Sequence, residues 1–157
     1  YAALNREIVL WEIVKGMKLK TMEEFSAIHN YIDMTEGERI LRKGAISAKD
    51  GEKVIIPINM KDGILLGTGK GNREWNCSAP HGSGRKLRRD EVKNQYTVSS
   101  FKSEMKGIHC TCIGADTLDE APFAYRGLEQ IRNQIGETVE VTEVLKPVYN
   151  FKAGGKA

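Results

Sequence analysis

The run Ile40-Leu41-Arg42-Lys43-Gly44-Ala45-Ile46-Ser47, followed across Asp50-Gly51 by Lys53-Val54-Ile55-Ile56-Pro57, decides how this chain folds. Apolar and β-branched residues on either side of an Asp-Gly pair predict two strands joined as a hairpin. A third strand over 63–68 runs into Gly67-Thr68-Gly69-Lys70-Gly71-Asn72. That glycine-rich segment lacks the hydroxyl residue after Lys and the upstream glycine spacing of a Walker loop, so it reads as a turn. Upstream, Ile28-His29-Asn30-Tyr31-Ile32 is also rich in strand formers. Residues 2–15 read as a helix ending near Gly16, with Leu4, Ile8, Trp11 and Val14 on one face that is expected to be core. Downstream, 84–94 predict a helix with a basic face, 99–105 a second helix and 107–113 a short strand. Asp119-Glu120-Ala121-Pro122 opens a further helix with the stripe Ala124, Leu128, Ile131 and Ile135, and 139–144 alternate as a last strand before Pro147. Short strands interleaved with helices, without a repeated βαβ unit, predict an α+β fold of mixed or antiparallel sheets with hairpins packed against helices.

The chain has 157 residues, the size of one domain or part of one. Lys and Arg number 24 against 21 Asp and Glu, a net charge of only +3, so affinity for nucleic acid has to come from local clustering, as at 85–93. No run approaches the ~18 apolar residues of a membrane span and the start lacks the regions of a signal peptide, so a soluble, cytoplasmic protein is expected. Three cysteines, at 77, 110 and 112, do not form a disulfide framework. Strand alternation in Cys110-Thr111-Cys112 places both thiols on one face, where they read as buried structural residues rather than metal ligands. The chain begins without Met and already in helical period, and is expected to be part of something longer. The tail around Lys152 reads, on composition alone, as a frayed terminus.

Chemistry concentrates in Ser78-Ala79-Pro80-His81-Gly82-Ser83-Gly84-Arg85. A histidine among small residues, next to Arg85, Lys86, Arg88 and Arg89, suits phosphoryl or nucleotidyl transfer. A glycine-rich turn with a solvated basic flank is the other reading of the same octapeptide. His29, between Ile28 and Asn30, reads on its own as a structural histidine.

Several segments in order resemble the RtcB family of GTP-dependent RNA ligases. They are Ala3-Leu4-Asn5-Arg6, His29-Asn30-Tyr31, Arg42-Lys43-Gly44-Ala45, Ile56-Pro57-Ile58-Asn59-Met60, the octapeptide 78–85, Asp119-Glu120-Ala121-Pro122-Phe123-Ala124-Tyr125 and Lys146-Pro147-Val148-Tyr149-Asn150-Phe151-Lys152. The resemblance implies an RtcB-like fold, with residues 1–157 as the carboxy-terminal portion of one catalytic domain whose amino-terminal portion is absent. It implies joining of RNA 3′-phosphate or 2′,3′-cyclic phosphate ends to 5′-hydroxyl ends, in RNA repair or splicing, with GTP and Mn2+ as cofactors. His81 matches the histidine that attacks the α-phosphate of GTP to form a histidine-GMP intermediate. His29 matches a manganese ligand. Asn30, the loop Pro57, Ile58, Asn59 and Met60, the positions Gly82, Ser83 and Gly84, and Lys152 match residues around the guanylate. Tyr125 either meets the nucleotide or packs the domain. Arg42, Lys43, Arg85, Arg88 and Arg89 are candidate RNA-phosphate contacts or plain solvated surface.

The departures mark a divergent branch. Pro57-Ile58-Asn59-Met60 stands where the family often has Pro-Gly-Ser-Met, Lys86-Leu87-Arg88-Arg89 follows the histidine loop where Ser-Arg is common, and Ile64 replaces a serine that touches the nucleotide. The family's remaining metal ligands, an Asp, a Cys and two His, belong to the absent amino-terminal half, and Cys77, Cys110, Cys112 and His109 do not match them. With one metal ligand the 157 residues alone are expected to be inactive. The alternative is a non-catalytic nucleotide- or RNA-binding remnant, or a pseudoenzyme.

Overall fold

The computed structural model describes residues 1–37 and 39–151. Helix α1 (Ala2–Gly16) precedes strands β1 (Asn30–Asp33), β2 (Ile40–Lys43), β3 (Ala45–Ser47), β4 (Lys53–Asn59), β5 (Gly63–Gly69) and β6 (Ser78–Pro80). Helices α2 (Arg89–Gln95) and α3 (Val98–Glu104), strand β7 (His109–Cys110), helix α4 (Leu128–Gln134) and strands β8 (Val139–Leu145) and β9 (Tyr149–Asn150) follow. The architecture is α+β, as expected.

The hairpin expected between 40–47 and 53–57 does not form. Gly44, at φ +65°, breaks the first run, because few residues but glycine sit comfortably in the left-handed region. β2 folds back on β1 in antiparallel register and β3 pairs with β6. Asp50-Gly51 does make a turn, but β4 leaves it to pair with β5. β5 is the centre of an antiparallel sheet in the order β4-β5-β8. Strict alternation along β4 buries Val54, Ile56 and Ile58. On β5 the buried positions include Gly67 and Gly69, where a Cβ would stand 2.5 Å from the Glu140 carbonyl oxygen and 2.4 Å from that of Lys49. Close backbone approach, not phosphate binding, explains this glycine run.

Two apolar cores flank the end of β4. The first gathers Ile46, Val54, Ile56, Ile58, Leu65, Ala79, Ile131, Ile135 and Val139 between the sheet and α4. The second gathers Met60, Val92, Phe101, Met105, Cys112, Leu118, Ala121 and Ala124 around α2 and α3. Complete burial of Ile56 and Phe101 is worth about 1.5–3 kcal/mol each. Ile58 belongs to one core and Met60 to the other, so the chain between them lies on the seam.

Other boundaries shift for local reasons. The basic helix occupies only Arg89–Gln95, because 85–88 are extended along the 124–126 segment. α3 starts one residue early, capped by the Thr97 hydroxyl accepting from the Ser100 amide at 3.2 Å. The strand expected over 107–113 reduces to His109–Cys110, in parallel with β9. The helix expected from Asp119 opens instead as two 3-10 turns at Leu118–Glu120 and Pro122–Ala124. Ala124 accordingly packs in the second core while Ile131 and Ile135 pack in the first. α1 is a helix as expected but not core: Leu4, Ile8 and Trp11 are each more than half exposed. Helical period marks an apolar face without saying what covers it, and among the described residues nothing buries this one.

Candidate active site

Where the two cores meet, an open cleft of about 1200 Å³ is lined by residues that range in sequence from Arg6 to Asn150. Its walls include His29 and His81, the β4 exit at Pro57, Ile58, Asn59 and Met60, and the loop Gly82, Ser83 and Gly84. Of the residues expected around a nucleotide, Asn30 stands just outside the lining and Lys152 lies outside the described residues. Ile64, expected to stand where the family has a serine, also lines the wall.

One residue, Gly44, holds both histidines through its two main-chain groups. The Gly44 amide donates to the His29 carbonyl at 2.9 Å and to Asn30 Oδ1 at 3.2 Å. The Gly44 carbonyl receives His81 Nδ1 at 2.6 Å and, more weakly, the His81 amide at 3.4 Å. The imidazoles stack with centroids 4.6 Å apart and planes within 11°. A carbonyl oxygen can only accept, so the His81 proton sits on Nδ1 and the neutral ring keeps its lone pair on Nε2. Desolvation, then the neighbouring His81, Arg6 and Lys43, hold His29 below its ordinary pKa, which keeps it neutral and able to donate a lone pair.

The glycine loop is fixed to the β4 exit by two hydrogen bonds from buried Ser83: its amide to the Pro57 carbonyl at 3.0 Å and its hydroxyl to the Ile58 carbonyl at 2.7 Å. Arg126 closes the other side, its amide donating to the Gly84 carbonyl at 3.2 Å and its guanidinium to the Arg85 carbonyl at 3.3 Å. Asn59 spends its side chain on its own turn: Oδ1 accepts from the Lys61 and Asp62 amides, and Nδ2 donates to Asp62 Oδ2 at 2.9 Å. Any hydrogen bond from this loop to a ligand therefore rests mainly on main-chain groups and the second Nδ2 proton.

The candidate phosphate cations separate sharply. Arg42 is 1% exposed, and its guanidinium is bound to Asp33 Oδ2 at 3.0 and 3.1 Å, to the Asn76 and Cys77 carbonyls and to the Ser78 hydroxyl. It is a structural tie between the β1–β2 hairpin and the left-handed turn at Asn76-Cys77 that leads into β6 and His81, not an RNA contact. Arg85 pairs with Glu120 at 2.5 Å and with Asp119 at 3.6 Å, and exposed Arg89 reaches Asp119 at 3.3 Å. Lys43 and Arg88 are exposed. Tyr125 lines the cleft beneath Arg85 and donates to Glu120 Oε2 at 2.5 Å; burial and that carboxylate push its phenol up to about 12.

Among the cleft residues without a role in the sequence reading are Arg6, Tyr149 and Asn150. Each lies inside a segment quoted for the family resemblance, and that was the only signal, because neither a lone Arg on the 15-residue α1 nor a Tyr-Asn pair carries a pattern. Asn150 Nδ2 donates to the Met60 carbonyl at 2.9 Å, so β9 is fastened to the β4 exit. Among the described residues no three His, Cys, Asp or Glu side chains converge as a cation site. His29 with its described neighbours does not make up a manganese centre.

The sequence profile described as tRNA-splicing ligase RtcB matches residues 1–153, nearly the whole chain. The chain belongs to the RtcB family. It is 31% identical to the RNA-splicing ligase RtcB of Escherichia coli K12 over 167 aligned positions, covering 97% of this chain and 41% of the relative. RNA-splicing ligase RtcB1 of Escherichia coli ATCC 25922 is 32% identical over the same extent. The tRNA-splicing ligase RtcB of Aeropyrum pernix is 34% identical over 86 positions, 52% of this chain and 18% of that protein. This RtcB-family chain thus spans about two fifths of the length of the two bacterial relatives. Among the described residues no helix is long and apolar enough to cross a membrane.

Proposed function

We propose that these residues form the nucleophile-bearing part of a cytoplasmic RNA ligase that joins RNA 3′-phosphate or 2′,3′-cyclic phosphate ends to 5′-hydroxyl ends at the expense of GTP. The observation that carries the reading is the 2.6 Å bond from His81 Nδ1 to the Gly44 carbonyl. It orients a neutral imidazole on the cleft wall with Nε2 as nucleophile. In the proposed first step Nε2 bonds to the α-phosphorus of GTP while the bond to the β-phosphate oxygen breaks and pyrophosphate leaves. The guanylyl group then passes to the RNA 3′-phosphate, and the 5′-hydroxyl displaces GMP to close the strand. Gly82, Ser83 and Gly84, with Pro57, Ile58, Asn59 and Met60, supply the walls for the nucleotide, and Lys152 is assigned by resemblance to the guanine. His29 is proposed as one manganese ligand, the remaining donors coming from an amino-terminal half outside these 157 residues.

The absence of a converging donor set among the described residues favours a second statement: the 157-residue chain alone is inactive, or is a binding remnant. The deciding experiment incubates α-labelled GTP and manganese with a full-length RtcB-family chain carrying these residues. Acid-labile label that disappears with His81→Ala supports the nucleophile; unlabelled protein moves the reading to nucleotide or RNA binding without catalysis. RNA sealing by the purified 157 residues would refute their inactivity.

A further inference from the structure

Away from the histidines, Cys110 and Cys112 bring their sulfurs to 3.1 Å, and both are reduced. We propose that this pair is a reversible redox site, closing to an intrachain disulfide that loosens β9 on the rim of the cleft.

Two observations make the pair competent. Bridging fails when the two side chains point apart, but here the sulfurs already converge and need approach by only about 1 Å to reach the ~2.05 Å of the bond. Access is also graded: Cys110 is half-buried, whereas Cys112 is 7% exposed at the edge of the second core. Thr111 between them is exposed and meets the Tyr149 hydroxyl at 3.1 Å.

A disulfide of small size, such as oxidised glutathione, supplies the oxidising equivalents. The Cys110 thiolate attacks one glutathione sulfur and releases the first glutathione thiolate. Cys112, its proton lost to solvent, then attacks the Cys110 sulfur and releases the second. Two protein thiols are oxidised, one glutathione disulfide is reduced to two thiols, and the protons balance.

The link to the cleft is direct. Cys110 pairs with Asn150 in the parallel β7–β9 ladder, and the Cys112 thiol donates to the Asn150 carbonyl at 3.9 Å. A disulfide sulfur has no proton to donate, so closure removes that contact from the residue whose side chain fastens β9 to Met60.

The test exposes the folded 157-residue chain to oxidised glutathione, denatures it, alkylates the remaining thiols and digests with trypsin. The 107–126 peptide holds both cysteines, and the 74–85 peptide holds Cys77 as internal control. The expected result is that 107–126 loses two hydrogens and takes no alkyl group, Cys77 is alkylated, and dithiothreitol restores both sites. Amide exchange at Tyr149 and Asn150 is expected to rise several-fold on oxidation, and not to rise in Cys110→Ser. Retained glutathione on either cysteine, two alkylated thiols, unchanged exchange in β9, or the same rise in Cys110→Ser would each overturn the proposal.

Discussion

Replacing Asp33 by Asn tests the buried tie beneath the histidines with a magnitude and a pH signature. Asp33 is 6% exposed and its carboxylate is held at about 2, against an ordinary 3.8. The largest cause is the Thr35 hydroxyl, donating to Oδ1 at 2.6 Å, followed by the Thr35 amide and the Arg42 guanidinium on Oδ2, all working against burial. A carboxyl moved that far favours its ionised form by about 2 kcal/mol in the folded chain. Because the folded pKa lies below the unfolded one, this stability is present in full above about pH 4 and is lost as pH falls through about 2. Asn keeps the shape and one acceptor but not the charge. At neutral pH, Asp33→Asn is therefore expected to lower stability by about 2 kcal/mol, or about 4–8 °C in melting temperature for a chain of this size. The gap should narrow progressively between about pH 4 and pH 2, where the unfolded carboxyl takes up a proton that the native one still refuses. Thermal unfolding followed by circular dichroism across that range decides the matter. A wild-type advantage as large at pH 2.5 as at pH 7 would refute the electrostatic account, because a packing defect does not titrate.

Further substitutions probe the cleft. Gly44→Ala meets ordinary contact with the His81 ring at 3.5 Å but must hold φ +65°, so chemical denaturation should show a loss of about 1–2 kcal/mol. Ser83→Ala strands the Ile58 carbonyl and should cost about 1–3 kcal/mol, with increased hydrogen exchange in the glycine loop. Gly69→Ala places a methyl group 2.4 Å from backbone atoms of Ala48 and Lys49, and a lower melting temperature is expected even though no cleft residue changes. His81→Ala removes an exposed side chain and should leave the melting temperature of this chain nearly unchanged, while abolishing the guanylylation proposed for the full-length protein.

Local pattern carried the sheet well. Apolar, β-branched composition gave β4 and alternation gave β8; the failed Walker spacing rightly excluded a phosphate loop, but the turn expected over 67–72 is confined to 70–72, because 67–69 complete β5, where close backbone requires the glycines. Pairing partners were not legible, because strand composition does not encode which edge a strand meets; the run 40–47 looks continuous until the positive φ of Gly44 divides it. Charge was misread for a related reason. Arg42 and Lys43 are adjacent in sequence, yet strand alternation sends one into a buried network and the other to solvent. His81 and its glycine loop stood out through composition, whereas Arg6, Tyr149 and Asn150 join the cleft only through long-range folding. Lys152 is named by resemblance alone, beyond the described residues.

The position of the cleft on the seam has a mechanical corollary. Ile58 and Met60 lie two residues apart on one chain, each anchored in a different apolar body, and the segment between them forms part of the cleft wall. Any tilt of one body against the other is delivered to that short segment and, through the Ser83 bonds, to the loop beside His81. Repacking around Phe101 or Ile131 can thus retune the aperture of the cleft while every group that lines it stays chemically intact.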